Sequence, residues 1–319
     1  MAKSTLKQII NKDIPTLSNT IKPFLVNTPK KKEKIINPDK HIISYKKNVK
    51  TATIAKANNL NDLNSKEWVE FTKSWFIENP SPRAKGVVLH PAKFPESLVI
   101  KFLRYFTKNQ ENQVVFDPFG GTGSSMVAVD MLNAETEGNR IGYSVELNEK
   151  YANIAKKRTR QTIMTGDILK IDLNRLPMFD FIITSPPYWN VLHKDTGHIN
   201  KKRGENGLDV TYSADPNDLG NIEDYDEFID ILSNLFAIIG KRLKNKKFCT
   251  IVLSSTNRGG RFFPIPYDFA RELQKKSSLI WKGERIWCQD NKALMPYGYP
   301  YSFVPNFTHH TCLIFRKEE

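Results

Sequence analysis

The chain of 319 residues is poor in cysteine and contains no long apolar run. Its three cysteines, Cys249, Cys288 and Cys312, are isolated, without a Cys-x-x-Cys pair or a neighbouring histidine pair at ligand spacing. Neither a disulfide framework nor a zinc site is therefore indicated. No segment approaches the roughly 18 apolar residues of a membrane span, and the amino terminus lacks a signal-peptide core. We expect a cytoplasmic protein that binds no metal and does not enter a membrane.

Acidic residues are scarce at the amino-terminal end of a chain whose net charge is +14. Residues 1–56 hold 13 lysines against only three acidic side chains. Few large apolar residues lie beside the lysine runs, so we expect residues 1–60 to form a basic, partly disordered arm that neutralises phosphates. A solubilising tail is the alternative interpretation. The remainder, residues 61–319, is long enough to bury the core of one enzyme domain.

Strand-like and helix-like segments alternate along the rest of the chain. The predicted strands cover residues 113–117, 140–146, 162–166, 179–184, 247–254 and 311–316. The predicted helices cover residues 96–107, 123–133, 148–158, 224–244 and 266–276. This alternation predicts a doubly wound, mostly parallel α/β sheet, whose ligands bind where the strands end. A further helix candidate, residues 65–76, places four aromatic side chains on nearly one face for core packing.

A glycine-rich turn, residues 117–123, follows the first of these strands. No Gly-Lys-Ser/Thr follows it, and the third glycine of a dinucleotide fingerprint is missing, so a phosphate cradle is disfavoured. Glu146 ends the second strand, where a carboxylate can hold a ribose diol. Asp167 follows the third strand and is placed to accept a hydrogen from an adenine amine. These residues together predict a crevice for a nucleoside-like cofactor.

The tetrapeptide Ser185-Pro186-Pro187-Tyr188 follows a buried, strand-like run. The prolines stop the strand and donate no backbone hydrogen bond. The Ser185 hydroxyl and the Pro186 carbonyl could accept the two hydrogens of an exocyclic amine, while Tyr188 stacks on the base. The structural alternative is a strand that ends in a Pro-Pro turn with a surface tyrosine.

In this order the segments resemble the S-adenosylmethionine-dependent amino-methyltransferases that act on DNA bases. Residues 117–123 match motif I, Glu146 and Asp167 match the acids of motifs II and III, and residues 185–188 match motif IV. Residues 90–98 resemble motif X, and residues 299–317 resemble the last conserved strand pair. The resemblance covers most of the chain from about Lys66 onward.

The resemblance implies a seven-stranded, Rossmann-like methyltransferase sheet, S-adenosyl-L-methionine as cofactor and double-stranded DNA as substrate. The catalytic residues that it implies are Ser185, Pro186, Pro187 and Tyr188. The cofactor-binding residues that it implies are Phe94, Pro95, Asp117, Phe119, Gly121, Thr122, Gly123, Glu146, Asp167 and Ile168. Residues 61–319 would then be the catalytic domain.

In relatives, serine at the first position of motif IV is mostly found in enzymes that methylate cytosine N4. We therefore expect site-specific methylation of cytosine N4 by base flipping and direct in-line transfer. Adenine N6 methylation, RNA base-amine methylation and a non-enzymatic DNA-binding role remain alternatives. No large target-recognition domain is obvious, so the loop at residues 189–225 is the candidate for that role, with a plain surface excursion as the alternative.

Two further expectations concern partners and metal ions. A cognate restriction endonuclease that acts separately on the same site is a candidate partner, and both a monomer and a homodimer remain open. His309 and His310 are disfavoured as a metal pair, because adjacent strand residues face opposite ways.

Overall fold

The computed structural model describes residues 58–79, 94–189 and 218–319. Most of the predicted basic arm and most of the candidate target-recognition loop lie outside these ranges. Both therefore stay predictions. In the described ranges no helix is long and apolar enough to cross a membrane.

Helices and strands alternate through the described residues. The helices are α1 (Ser65–Phe71), α2 (Glu96–Phe106), α3 (Ser124–Thr136), α4 (Glu149–Arg158), α5 (Tyr225–Lys241) and α6 (Ile265–Lys276). The strands are β1 (Trp75–Ile77), β2 (Val114–Asp117), β3 (Ile141–Glu146), β4 (Thr162–Thr165), β5 (Phe179–Thr184), β6 (Leu243–Leu253), β7 (Thr256–Arg258), β8 (Arg261–Phe263), β9 (Leu279–Cys288) and β10 (His309–Lys317).

Eight of the described strands form one sheet in the order β1-β9-β10-β6-β5-β2-β3-β4. Strand β10 is antiparallel to both of its neighbours, and the other pairings are parallel. This confirms the predicted doubly wound, mostly parallel fold class. The predicted count of seven strands is wrong by one, because the short strand β1 extends the edge beyond β9. Strands β7 and β8 form a separate hairpin.

Helices cover both faces of this sheet, which explains why β2 and β5 are buried along their whole length. Phe236 on α5 and Phe269 on α6 belong to the apolar cluster on one face. Phe102 and Phe106 on α2 belong to the cluster on the other face. Strands covered on both faces carry continuous apolar runs, as residues 179–184 do.

The helix predicted over residues 65–76 is shorter than expected. A capping box starts α1, since Asn64 accepts from the backbone of Glu67 and Glu67 accepts from Asn64. The helix ends at Phe71, and Trp75 and Phe76 pair with β9 instead. Strand pairing with a distant segment therefore overrides the helical period of the aromatic residues. Core packing is confirmed for Trp68, Phe71 and Phe76, which pack against the cluster of α2, whereas Trp75 is exposed.

A buried carboxylate joins three neighbouring strands at the amino-terminal edge of the sheet. Asp180, on β5, accepts from the backbone N–H of Val114 at 3.0 Å. Lys244 Nζ on β6 lies 2.7 Å from the same carboxylate, and Lys247 Nζ lies 3.5 Å away. Removing this carboxylate would leave a buried donor and two lysines without this partner.

We expect Asp180→Ala to lower the free energy of unfolding by about 2–4 kcal/mol, because a buried donor loses a charged acceptor. Glu70→Ala is the matched control, since Glu70 forms an exposed pair with Lys66 at 4.0 Å. The control should change stability by less than about 0.5 kcal/mol. Chemical denaturation measures both values. Equal, small changes would contradict the role assigned to Asp180.

Candidate active site

A pocket opens where β2, β3, β4 and β5 end. The residues that line it are Phe94, Pro118, Phe119, Gly120, Gly121, Thr122, Ser124, Glu146, Leu147, Asn148, Tyr151, Gly166, Asp167, Ile168, Leu169, Ser185, Pro187, Asp218 and Leu219. Seven of the ten predicted cofactor-binding residues and two of the four predicted catalytic residues are among them.

The glycine-rich turn shapes the floor of this pocket. Gly121 and Gly123 have positive φ angles of 53° and 84°, a conformation that glycine adopts without strain. A Cβ atom on Gly123 would lie 2.9 Å from Cβ of Ala155, so this glycine lets α3 start close to α4. Gly121 lines the pocket, whereas Gly123 supports the helix start beside it.

Glu146 holds the glycine-rich turn against the end of β3. Its Oε2 accepts from the backbone N–H of Gly121 at 2.7 Å, and its Oε1 accepts from that of Asn148 at 2.8 Å. Burial raises the pKa of Glu146 to about 7, although the two backbone donors act in the opposite direction. The carboxyl group therefore lies in the pocket with a protonation state that changes near neutral pH.

Asp117 lies beneath the pocket and is not one of its lining residues. Its Oδ1 accepts from the N–H of Phe119 at 3.0 Å and from Thr184 Oγ1 at 2.6 Å, and its Oδ2 accepts from Ser125 Oγ. Burial raises the pKa of this carboxyl group, while these hydrogen bonds lower it. Asp117 thus fixes the turn to β5 and to α3 and holds the pocket from below.

Asp167 follows β4 and offers an acceptor to the pocket. Its Oδ1 accepts from the N–H of Leu169 at 2.9 Å. Its buried Oδ2 accepts no hydrogen bond from a described residue, although Lys170 Nζ lies 3.3 Å away. Ile168 provides an adjacent apolar wall. This arrangement can hold an amine beside an apolar ring.

The tetrapeptide at residues 185–188 directly follows β5 and contributes to the same pocket. Ser185 and Pro187 line the pocket, and Pro186 is buried. Ser185 Oγ lies 2.7 Å from Tyr188 Oη, within hydrogen-bond distance. A hydroxyl group and an aromatic ring therefore stand together beside the predicted cofactor residues.

The remaining predicted residues surround the start of α2 and the glycine-rich turn. Phe94, Phe119 and Thr122 line the pocket. Pro95 does not line it, but its carbonyl accepts from the N–H of Leu98 at 3.1 Å and so begins α2. Residues 90–93 of the segment that resembles motif X lie outside the described residues.

Sequence reasoning missed a pair of charged residues that holds the turn in place. Arg158, at the end of α4, donates to the backbone carbonyl of Thr122 and, at 2.8 Å, to Glu96 Oε1. Ser124 Oγ donates to the same Glu96 oxygen at 3.1 Å. Because Glu96 and Arg158 are far apart in the sequence, no local pattern could reveal this contact.

The position of His310, at the start of β10 and beside Tyr188, was not predicted from the sequence. Its ring stacks on Trp287 with centroids 4.6 Å apart and lies 5.7 Å from the ring of Tyr188. Burial, with Lys292 and His309 nearby, lowers the pKa of His310 to about 3, so its imidazole is neutral. His309 is exposed, and the two histidines face different environments, as the strand pattern predicted. His310 thus extends the aromatic wall behind Tyr188.

Comparison with known proteins points to one family. The family model described as DNA methylase, of N6/N4 type, matches residues 3–157. The Type II beta methyltransferase M.BslI of Bacillus sp. (strain NEB-606) is 26% identical over 149 residues, which are 44% of this chain and 14% of that protein. The Type II methyltransferase M.HinfI of Haemophilus influenzae is 27% identical over 152 residues, which are 46% of this chain and 37% of that protein.

A solved structure is similar at a lower level. The TehB-like SAM-dependent methyltransferase from Corynebacterium glutamicum aligns with a TM-score of 0.38 and 12% identity, covering 70% of this chain and 87% of that chain. The chain spans well under half of the length of the two curated relatives that it matches. By the family match and these relatives, the chain is similar to the N6/N4-type DNA methylases, and this similarity implies S-adenosylmethionine as its cofactor.

Proposed function

We propose that the protein transfers a methyl group from S-adenosylmethionine to the exocyclic N4 amine of cytosine in double-stranded DNA. The observation that carries this proposal is the shared pocket of Ser185, Glu146 and Asp167. A serine at the first position of the tetrapeptide favours cytosine N4. Adenine N6 is the second candidate, because the matching family includes both types.

The pocket residues fit the parts of this cofactor. Asp167 would accept from the adenine amine through its buried Oδ2, and Ile168 would pack on the adenine ring. Glu146 would hold the ribose hydroxyls, and Phe94 would lie near the methionine end. When bound, the cofactor supplies a methyl group on a sulfonium, which is a strong electrophile with a good leaving group.

Ser185 and Tyr188 would prepare the acceptor amine. A conjugated amine is a weak nucleophile until acceptors draw on its hydrogens and localise the lone pair on nitrogen. If Ser185 donates its own hydrogen to Tyr188 Oη, 2.7 Å away, its lone pairs are oriented to accept from the amine. The Pro186 carbonyl is the proposed second acceptor. With its lone pair localised in this way, the amine nitrogen would face the methyl group that the cofactor would supply with its sulfonium as leaving group, and the amine proton lost on transfer would pass to solvent.

Duplex DNA hides this amine in the base stack, so the target base must rotate out to reach Ser185. The ring of Tyr188, backed by His310, offers the flipped base a replacement stacking surface. The positive net charge of +14 supports binding to phosphates, which positions DNA without specifying its sequence. A separate restriction endonuclease with the same target remains a proposed partner, since both curated relatives carry names of Type II methyltransferases.

We expect Ser185→Ala to slow methyl transfer by about a hundredfold, because one preorganised polar contact to the reacting group is lost. Affinity for S-adenosylmethionine should stay within about twofold, since Ser185 is not assigned to the cofactor. Ser278→Ala is the matched control, because Ser278 precedes β9 at the opposite edge of the sheet.

Nucleoside mass spectrometry of plasmid DNA from cells that express each variant measures the product. Wild type and Ser278→Ala should yield N4-methylcytosine, and Ser185→Ala should yield little. N6-methyladenine would overturn the choice of cytosine and keep the site. Loss of cofactor affinity in Ser185→Ala, measured by calorimetry, would contradict the role assigned to this serine.

We expect cofactor affinity to depend on pH through Glu146. Burial raises the pKa of Glu146 to about 7, so the unliganded carboxyl group is protonated at lower pH and charged at higher pH. Because a charged carboxylate is the better acceptor for ribose hydroxyls, the Kd should rise by up to about tenfold per pH unit below that pKa and level off above it.

Glu146→Gln should raise the Kd about tenfold to a hundredfold at pH 8 and remove this pH dependence, since a bond to a charged acceptor is lost. Glu149→Gln changes an exposed glutamate three residues away and should leave the wild-type profile intact. Calorimetry between pH 5.5 and 8.5 (a range of about 1.5 units around the raised pKa) measures both variants. A profile of Glu146→Gln identical to wild type would contradict the assignment.

A further inference from the structure

Three aromatic side chains are almost fully exposed in the loop between β9 and β10. The exposed fraction is 82% for Tyr299, 95% for Tyr301 and 89% for Phe303. We call these three residues the aromatic tip. Large apolar side chains that project together into solvent commonly mark a binding surface.

Hydrogen bonds fix the shape of the loop that carries the aromatic tip. Asn306 and Met295 exchange two bonds of 2.8 Å each across its stem. Above the stem, the N–H groups of Tyr301 and Ser302 donate to the carbonyl of Gly298 at 2.8 and 2.7 Å and close a tight turn. The tip is therefore presented by a preorganised loop, which reduces the entropy cost of binding.

Sheet topology places this loop at the edge where the pocket opens. Strand β6 runs parallel to β5 and therefore ends at the pocket edge. Strand β10 is antiparallel to β6, with Thr311 opposite Leu253, so β10 begins at that edge. Because His309 pairs with Cys288, the loop joins β9 to β10 there. Its base adjoins His310, whose ring contacts Tyr188.

Cationic side chains lie on the hairpin beside the loop. Phe262 of the hairpin stacks on Phe307 of the loop with centroids 6.1 Å apart. The guanidinium of Arg258 lies 4.7 Å from the ring of Trp189, and that of Arg261 lies 5.3 Å from the ring of Phe263. In the described part of the chain neither guanidinium pairs with a carboxylate. Their positive charge suits phosphates beside an inserted aromatic group.

We infer that the aromatic tip inserts into duplex DNA beside the target base and fills the space that the flipped base leaves. This inference rests on the proposed function, since it assumes that a base rotates into the pocket next to Tyr188. Flipping a base costs free energy of stacking and pairing. Stacking of an aromatic side chain on the neighbouring bases offsets part of this cost and does not require a particular sequence.

The test compares two labelled duplexes of the same arbitrary sequence, one intact and one with a single abasic site. An abasic site offers the vacated space without the cost of flipping. By fluorescence anisotropy, wild type should bind the abasic duplex about tenfold more tightly, the effect of about one stacking contact. Changing the tip by Tyr299→Ala, Tyr301→Ala and Phe303→Ala together should reduce this preference to less than about twofold and leave binding to the intact duplex nearly unchanged.

The control variant combines Met131→Ala and Ile238→Ala, which remove apolar side chains that are 50% and 54% exposed on α3 and α5. It should keep the tenfold preference. A preference that survives in the tip variant, or that is missing in wild type, would overturn the inference alone. Binding of neither duplex by wild type would overturn the DNA substrate as well.

Light scattering tests whether a second copy of the chain, and not DNA, binds to the aromatic tip. The inference predicts the same oligomeric state for wild type and for the tip variant. A dimer that becomes a monomer when the tip is changed would show that the tip is covered by its own partner and would overturn insertion into DNA. We expect wild type and the tip variant to have equal midpoints of thermal unfolding, because the changed side chains are exposed. Equal midpoints would show that the tip variant is folded.

Discussion

The hydrogen bonds of the buried Asp117 carboxylate are the interaction on which the site depends. They join the end of β2 to the turn that follows it, to the start of α3 through Ser125 and to the end of β5 through Thr184. Thr184 immediately precedes Ser185, so the same carboxylate fixes the floor of the proposed cofactor site and the root of the proposed catalytic tetrapeptide. A buried polar network is rigid when its members are satisfied, and this rigidity suits a transfer that depends on positioning.

Because β10 runs antiparallel to its neighbours, the loop before it lies at the same edge of the sheet as the pocket. The ends of β2, β3 and β4 provide the proposed cofactor pocket, and β5 brings Ser185 to its rim. Beyond β6, the reversal places a loop at the same edge, where all-parallel strands would require a crossover. Under the proposed function, duplex DNA that delivers a base to Tyr188 would meet the aromatic tip and the arginines of the hairpin. The proposed chemistry and the surface proposed to enter the duplex would then lie at the same edge of the sheet.

Much of the fold was predictable from the sequence, because buried parallel strands carry continuous apolar runs and end at conspicuous residues. The strands at residues 114–117 and 179–184 were predicted in this way. Glu146 at the end of β3 and Asp167 after β4 were predicted together with them. Strand β9 was missed because Lys282, Glu284 and Arg285 interrupt its apolar pattern. Helix α1 was predicted too long because aromatic residues at helical spacing also suit a strand, and pairing with β9 decides between the two. The contact of Glu96 with Arg158 joins helices that are distant in sequence, so it required the folded chain.

The proposed activity is tested most directly by methyl transfer by the purified protein from S-adenosylmethionine labelled in its methyl group to unmethylated duplex DNA. After digestion to nucleosides, we expect label in a base methylated on its exocyclic amine, with N4-methylcytosine as the product. Label that never enters DNA, although the protein binds the cofactor and the duplex, would contradict the claim that one pocket brings the sulfonium methyl and a base amine together.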